Sequence, residues 1–192
     1  MKLPAGTFLI DGKLRMASNV KLEGAGPTTI LKAGPTFLNN NGPAGGYPIV
    51  TTAGADNTTL TNFTADQSGD TLNGNVAGRL NEYVIDVRDS YNSLVQGIHT
   101  RNPFTYSIAF VGGSKWCVKD TSTQSATNGK YTELDGIHAM NTSYAILWGT
   151  SLTNARVPMV MTVSPSTRTA MRMFTASELR IIRCAEACTE PV

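Results

Sequence analysis

The 192-residue sequence predicts an all-β fold, a right-handed single-stranded parallel β-helix, on three observations. Convincing amphipathic helices are absent from residues 1–144, where Gly, Asn, Thr, Ser and Asp are dense and apolar residues come in short alternating runs. A phrase built on Asn-x-x-(Leu/Val) returns along the chain, and short strands precede it. Aligned, the phrases place like residues at like offsets. Stacked coils require that; a β-sandwich, whose strands alternate similarly, does not.

Taken in order, Leu3-Pro4-Ala5-Gly6-Thr7-Phe8-Leu9-Ile10 opens the first coil. The phrase follows as Asn19-Val20-Lys21-Leu22-Glu23-Gly24, then as Asn57-Thr58-Thr59-Leu60-Thr61-Asn62-Phe63 and Asn92-Ser93-Leu94-Val95-Gln96-Gly97-Ile98. Its last clear form is Lys115-Trp116-Cys117-Val118-Lys119-Asp120-Thr121. The strands ahead of three of these stack Val50, Ile85 and Ile108 in one column, with Thr52, Val87 and Phe110 two residues on; Ile137 and Ala139 continue both. Residues two apart share a face, so these columns are expected inside the solenoid. Unequal spacing between phrases points to insertions at Phe37 to Gly46 and Ser68 to Leu80, both rich in Gly and Asn, of the kind that commonly forms a binding wall.

Composition excludes several functions. A formal charge of +2 with 16% charged residues gives no concentrated basic face for nucleic acid. No stretch is apolar enough to span a bilayer, and the start lacks an apolar core of signal-peptide length, so compartment is not legible. Cys117, Cys184 and Cys188 are an odd count without supporting histidines, which indicates neither a disulfide framework nor zinc. No P-loop, dinucleotide fingerprint or Ser-His-Asp set occurs, and no cofactor or metal is expected. Oligomeric state is not readable either.

From about Ala145 the composition changes: Asp and Lys vanish, Gly149 is the last glycine, and four of the seven Met and two of the three Cys appear. The coils are therefore expected over residues 1–144 and an atypical tail over 145–192. Read one base out of frame, Pro158-Met159-Val160-Met161-Thr162 can encode Asp-Gly-Asp-Asp, of which the genetic code forces the Gly and the final Asp. A single-base deletion near Tyr144 is the expectation; the alternative is a native helix over Thr175 to Ala187 capping the coils.

The opening strands, with Ser18 to Gly26 and Thr28 to Leu31, resemble the first coils of the pectate-lyase superfamily, and the chain is closest to glycoside hydrolase family 28, the polygalacturonases. The resemblance covers residues 3–144, without the capping segment usual in the superfamily, so the chain is expected to be a fragment that begins inside the first coil. Glu133-Leu134-Asp135-Gly136-Ile137-His138 is similar to the Asn-Thr-Asp-Gly element of the polygalacturonases, which implies that Asp135 is a catalytic carboxylate. Inverting hydrolysis needs an acid and a base about 6.5–9.5 Å apart, separations that adjacent coils supply. The family's Asp-Asp pair and His-Gly are not found, since no Asp follows Asp135, and the chain as given is expected to be inactive.

Other candidate positions come from the repeat. His99 and His138 each close a Gly-Ile-His triplet and alternation turns both outward, either to hold uronate carboxylates or as solvated surface side chains. Asp66, Arg101 and Gln124 share one outward column; Arg101 suits a bidentate pair with a sugar carboxylate, and a merely solvating polar ladder is the alternative. Tyr106 and Trp116 are candidates to stack on sugar faces, although Tyr106 also suits a strand start with its ring packed inward. The expected partner is a polysaccharide, and the expected parent activity is hydrolysis of an acidic, pectin-like one. Two further readings stay open: a non-catalytic carbohydrate-binding, adhesin-like or tailspike-like β-helix, and a uronate lyase or epimerase.

Overall fold

The computed structural model describes residues 1–39, 47–72, 83–124, 136–148, 151–153 and 161–162. In chain order the strands are β1 (Lys2–Leu3), β2 (Gly6–Ile10), β3 (Leu14–Arg15), β4 (Lys21–Gly24) and β5 (Thr29–Ala33), then a 3-10 turn over Phe37–Asn39. There follow β6 (Val50–Thr51), β7 (Thr59–Asp66), β8 (Ile85–Arg88), β9 (Tyr91–Arg101), β10 (Ile108–Val111), β11 (Ser114–Lys119) and β12 (Ser122–Gln124). The last are β13 (Ile137–Met140), β14 (Ser143–Trp148), β15 (Ser151–Thr153) and β16 (Met161–Thr162).

Every strand pair among the described residues is parallel. One sheet runs β3-β6-β8-β10-β13-β16, and the other carries the path β1-β4-β7-β9-β11-β14 with β2, β5, β12 and β15 paired alongside. The chain visits the two alternately and winds as a right-handed parallel β-helix, the hand that parallel crossovers almost always take. One turn shows the path: β8 in the first sheet, a corner at Asp89 and Ser90, β9 along the second sheet with a bend at Gly97, then Asn102 to Ser107 back to β10. The pairing runs across residue 145 through β14, β15 and β16, whereas residues 163–192, with the suggested helix over 175–187, lie outside the described residues.

The columns expected from sequence are present in register. Val50 pairs with Ile85, Ile85 with Ile108 and Ile108 with Ile137, and all four are fully buried. Val87, Phe110 and Ala139 form the next column, and Leu22, Leu60, Val95 and Val118 stack across the second sheet. Each such side chain contributes about 1.5–3 kcal/mol by leaving water, and only a neighbouring coil can cover it.

Corners are set by residues that tolerate a left-handed backbone. Asn19, Asn57 and Asn92 have φ of 62°, 52° and 58° and stack amide on amide: Asn57 Nδ2 donates to Asn19 Oδ1, and Asn92 Nδ2 to Asn57 Oδ1, each at 2.9 Å. Short Asn side chains accept this conformation and bond locally, which is why the phrase begins with Asn. Gly113, at φ 67°, passes so close to the Ser90 backbone that a Cβ would lie 2.6 Å from Ser90 N.

One expectation needs correction. Trp116 does not face outward to stack on sugars: it is buried, parallel to Phe110 with ring centroids 3.9 Å apart, and its Nε1 donates to Thr142 Oγ1 at 2.8 Å. It occupies the inward column of Ser93, so a position polar in the previous coil takes an indole where Phe110 offers a flat partner. Cys117, beside it, is buried, and the other two cysteines lie outside the described residues.

Candidate functional site

One residue after each buried Ile column, the chain turns a side chain to the outer face of the first sheet. The register gives that outward column as Arg15, Thr51, Asp86, Ala109 and His138, one residue per coil. Two residues further on stand Arg88, Val111 and Met140. Tyr83 and Tyr106, just ahead of β8 and β10, lean over this face.

The aromatic rings form a continuous stack. Tyr106 and His138 lie with centroids 4.6 Å apart and planes 8° from parallel; Tyr83 and Tyr106 are 5.5 Å apart at 23°. Tyr83 is buried, while Tyr106 and His138 are half-buried, so the stack opens toward β13. Of the two readings of Tyr106, the outward one is observed, its ring packed against an outer apolar patch of Tyr83, Ala109 and Val111 with Met140. Gln67 supports the stack from beneath. Fully buried, it donates through Nε2 to the Tyr47 carbonyl at 2.6 Å and to the Tyr83 carbonyl at 2.9 Å, and its Oε1 accepts from Phe104 N at 2.7 Å.

Asp86 is the carboxylate of this face. It is 7% exposed; its Oδ2 accepts from Thr51 Oγ1 at 2.9 Å and from Arg88 Nε at 3.4 Å. Its Oδ1 is 3.4 Å from Arg88 Nη2, close enough for charge attraction but not aligned as a hydrogen bond. We regard this as an ion pair with imperfect geometry. The Arg88 guanidinium also lies over the Tyr83 ring, 5.9 Å from its centroid. Burial is the largest single influence on Arg88 and works against its charge, yet the Asp86 carboxylate and the Tyr83 hydroxyl together outweigh it and hold the guanidinium above its ordinary pKa; burial pushes the Tyr83 phenol up. Lys13 is lowered by burial and by Arg15, with Asp86 opposing, which sets all three charges in one field.

His99 and Arg101 sit elsewhere. They are carried by the second half of β9 in the other sheet, so the structure groups His99 with Arg101, and Tyr106 with His138, but not the two pairs together. Asp66, Arg101 and Gln124 do share one outward column, continued by Lys32. Asp66 is buried and committed, accepting from Ser68 N at 2.9 Å and Asn102 Nδ2 at 3.0 Å with Lys32 Nζ 3.8 Å away. His99 Nδ1 is 2.6 Å from Ser122 Oγ, and burial followed by the Arg101 charge depresses its pKa below 6.5. Asp135 lies outside the described residues; β13 begins two residues after it. Among the described residues no group of three or more His, Cys, Asp or Glu is gathered as a metal site would need.

Sequence reasoning missed Tyr83, Asp86, Arg88 and Gln67. Asp86 and Arg88 alternate with Ile85 and Val87, a visible signal, but one that any half-exposed strand gives.

No protein-family model and no curated protein sequence matches the chain. Among solved structures it is similar to a candidate glycosyl hydrolase from Parabacteroides merdae, with TM-score 0.53 and 12% identity over 84% of this chain and 80% of that one. It is also similar to the catalytic domain of a GH87 α-1,3-glucanase in complex with nigerose, with TM-score 0.56 and 21% identity over 81% of this chain and 27% of that one. The chain thus spans about a quarter of the glucanase structure. At such identities the likeness is one of fold, and both comparisons agree on the β-helix.

Proposed function

We propose that this chain forms part of a glycoside hydrolase that binds an acidic, pectin-like polysaccharide along the outer face of the β3-β6-β8-β10-β13 sheet. The observation that carries the reading is the stack of Tyr83, Tyr106 and His138 beside the Asp86–Arg88 pair, a surface of aromatic and charged groups extended over consecutive coils. Sugars present apolar C–H faces and polar rims, and such surfaces meet both. Similarity of fold to glycosyl hydrolases supports a polysaccharide as the partner, while its acidic character rests on the resemblance of the sequence to the polygalacturonases. Asp135 is assigned the acid or base role on its resemblance alone, with a second carboxylate to complete the pair. His99 and Arg101, on the other sheet, are assigned a secondary contact with the same polymer.

The test is retention and turnover of polygalacturonate. Wild-type chain should be retarded in gels containing the polymer, and Tyr106→Ala with His138→Ala should abolish the retardation; a double variant retarded like wild type would remove this face from the reading. A non-catalytic binding protein is the second reading. It is favoured by Asp86 being tied to Arg88, which leaves no free carboxylate pair on this face among the described residues. Release of reducing ends separates the two, and an unsaturated product absorbing in the ultraviolet would indicate a lyase instead.

A further inference from the structure

Hydroxyls paired inside the coils satisfy one another: Thr52 Oγ1 bonds with Ser90 Oγ, and Thr58 Oγ1 lies 3.0 Å from Ser93 Oγ, all four residues being buried. Ser122 differs. On β12 it is half-buried at the outer face of the second sheet, and its Oγ lies 2.6 Å from Nδ1 of His99, its register partner on β9. A hydroxyl is thereby set against a base. Thr64, the neighbour of His99 in the preceding coil, does not compete for the ring: it is buried and donates to the Pro27 carbonyl at 2.8 Å. Burial, with the Arg101 charge second, holds the His99 pKa below 6.5, so at neutral pH the ring is uncharged and able to accept a proton. Arg101 follows His99 by two residues on the same outward side. Asp66, its partner in register, is committed to Ser68 N, Asn102 Nδ2 and Lys32, so that carboxylate does not occupy the Arg101 donors.

We infer that Ser122 and His99 are a nucleophile and its base that hydrolyse small carboxylic esters of the O-acetyl type, with Arg101 stabilising the oxyanion. The Ser122 Oγ bonds to the ester carbonyl carbon as its proton passes to His99 Nδ1, which requires the tautomer that carries its own proton on Nε2. The carbonyl oxygen takes the negative charge, which Arg101 offsets. The C–O bond to the alcohol then breaks, and the leaving oxygen takes the proton from His99. Water attacks the acyl-serine and gives a proton to His99; as the Oγ–acyl bond breaks, Oγ takes that proton back, and a carboxylic acid is released. Esters rather than amides follow from the surroundings of the ring. Among the described residues no carboxylate bonds to His99, so the base lacks the third group of a triad, and an alcohol leaves more readily than an amine. The pair lies on the other sheet from the aromatic stack, so this activity stands apart from the polymer binding proposed above.

The experiment treats the full chain with a fluorophosphonate, which bonds covalently to activated serines, and with p-nitrophenyl acetate, whose hydrolysis is followed by colour. Neither probe carries a sugar, so failure here leaves the polysaccharide reading standing. Mass spectrometry locates the label, and circular dichroism melting establishes which of Ser122→Ala, His99→Gln and Arg101→Gln fold. Wild type should be labelled at Ser122 and turn over the ester; His99→Gln should slow both by about a hundredfold. Arg101→Gln should slow turnover by about tenfold or more. Ser122→Ala, which keeps His99, should lose the label and slow turnover by about tenfold or more, whereas an imidazole acting alone as nucleophile would sustain it. Folded wild type that takes no label at Ser122 overturns the inference whether or not the variants fold, as does turnover in Ser122→Ala equal to that of wild type.

Discussion

Asn57 holds φ at 52° between two like amides, donating to Asn19 and accepting from Asn92. Its replacement by Ala removes both bonds and puts a Cβ-bearing residue without local hydrogen bonding at a left-handed corner, so Asn57→Ala should cost about 2 kcal/mol, read from the urea midpoint. His99 makes the second prediction at this scale. Its folded pKa is depressed, by burial first and Arg101 next, so the neutral ring is the form that suits the fold. Above 6.5 that preference costs nothing. As pH falls through 6.5 the unfolded chain takes up a proton that the folded chain resists, and stability declines. Wild type should therefore lose stability between pH 7 and 5 more steeply than His99→Gln, measured by denaturant titration at each pH; parallel profiles would show that His99 titrates without consequence.

Among the elements, the loops ahead of β6, β8 and β10 are joined by one side chain. Gln67 bonds the Tyr47 and Tyr83 carbonyls and Phe104 N, and its replacement by Leu removes three buried hydrogen bonds, with an expected loss of about 3 kcal/mol. Because Tyr83 heads the aromatic stack, Gln67→Leu should also weaken polymer retention under conditions where it remains folded, assayed by affinity electrophoresis. This is where sequence reading was incomplete. The inward columns were legible because coil packing repeats a residue type at a fixed offset, and the outward column of Asp66, Arg101 and Gln124 followed by alternation. Trp116 was misread because its equivalents, Ser93 and Thr58, are polar, and the space that admits an indole depends on Phe110 from a different strand. Gln67, within the run Asp66-Gln67-Ser68-Gly69, carried the composition of a solvated turn and is fully buried. Arg88 and Asp86 become a unit only once both are seen on one outer face.

Over the whole molecule, stability is distributed coil by coil, each apolar side chain being covered from above and below. Ile108 is fully buried between Ile85 and Ile137, whereas Ile10, in the first coil, is only partly covered. Ile108→Ala should cost about 3 kcal/mol or more and Ile10→Ala about 1, compared by thermal unfolding. Similar losses at the two sites would mean that the coils do not share one continuous interior. The column itself has a further consequence. Val50, Ile85, Ile108 and Ile137 keep strict register although the contour between them is 35, 23 and 29 residues long, as subtraction of their numbers gives. Excursions between strands are invisible to the ladder, so evolution can lengthen, trim or exchange the connecting segments one rung at a time while the scaffold beneath goes on stacking undisturbed.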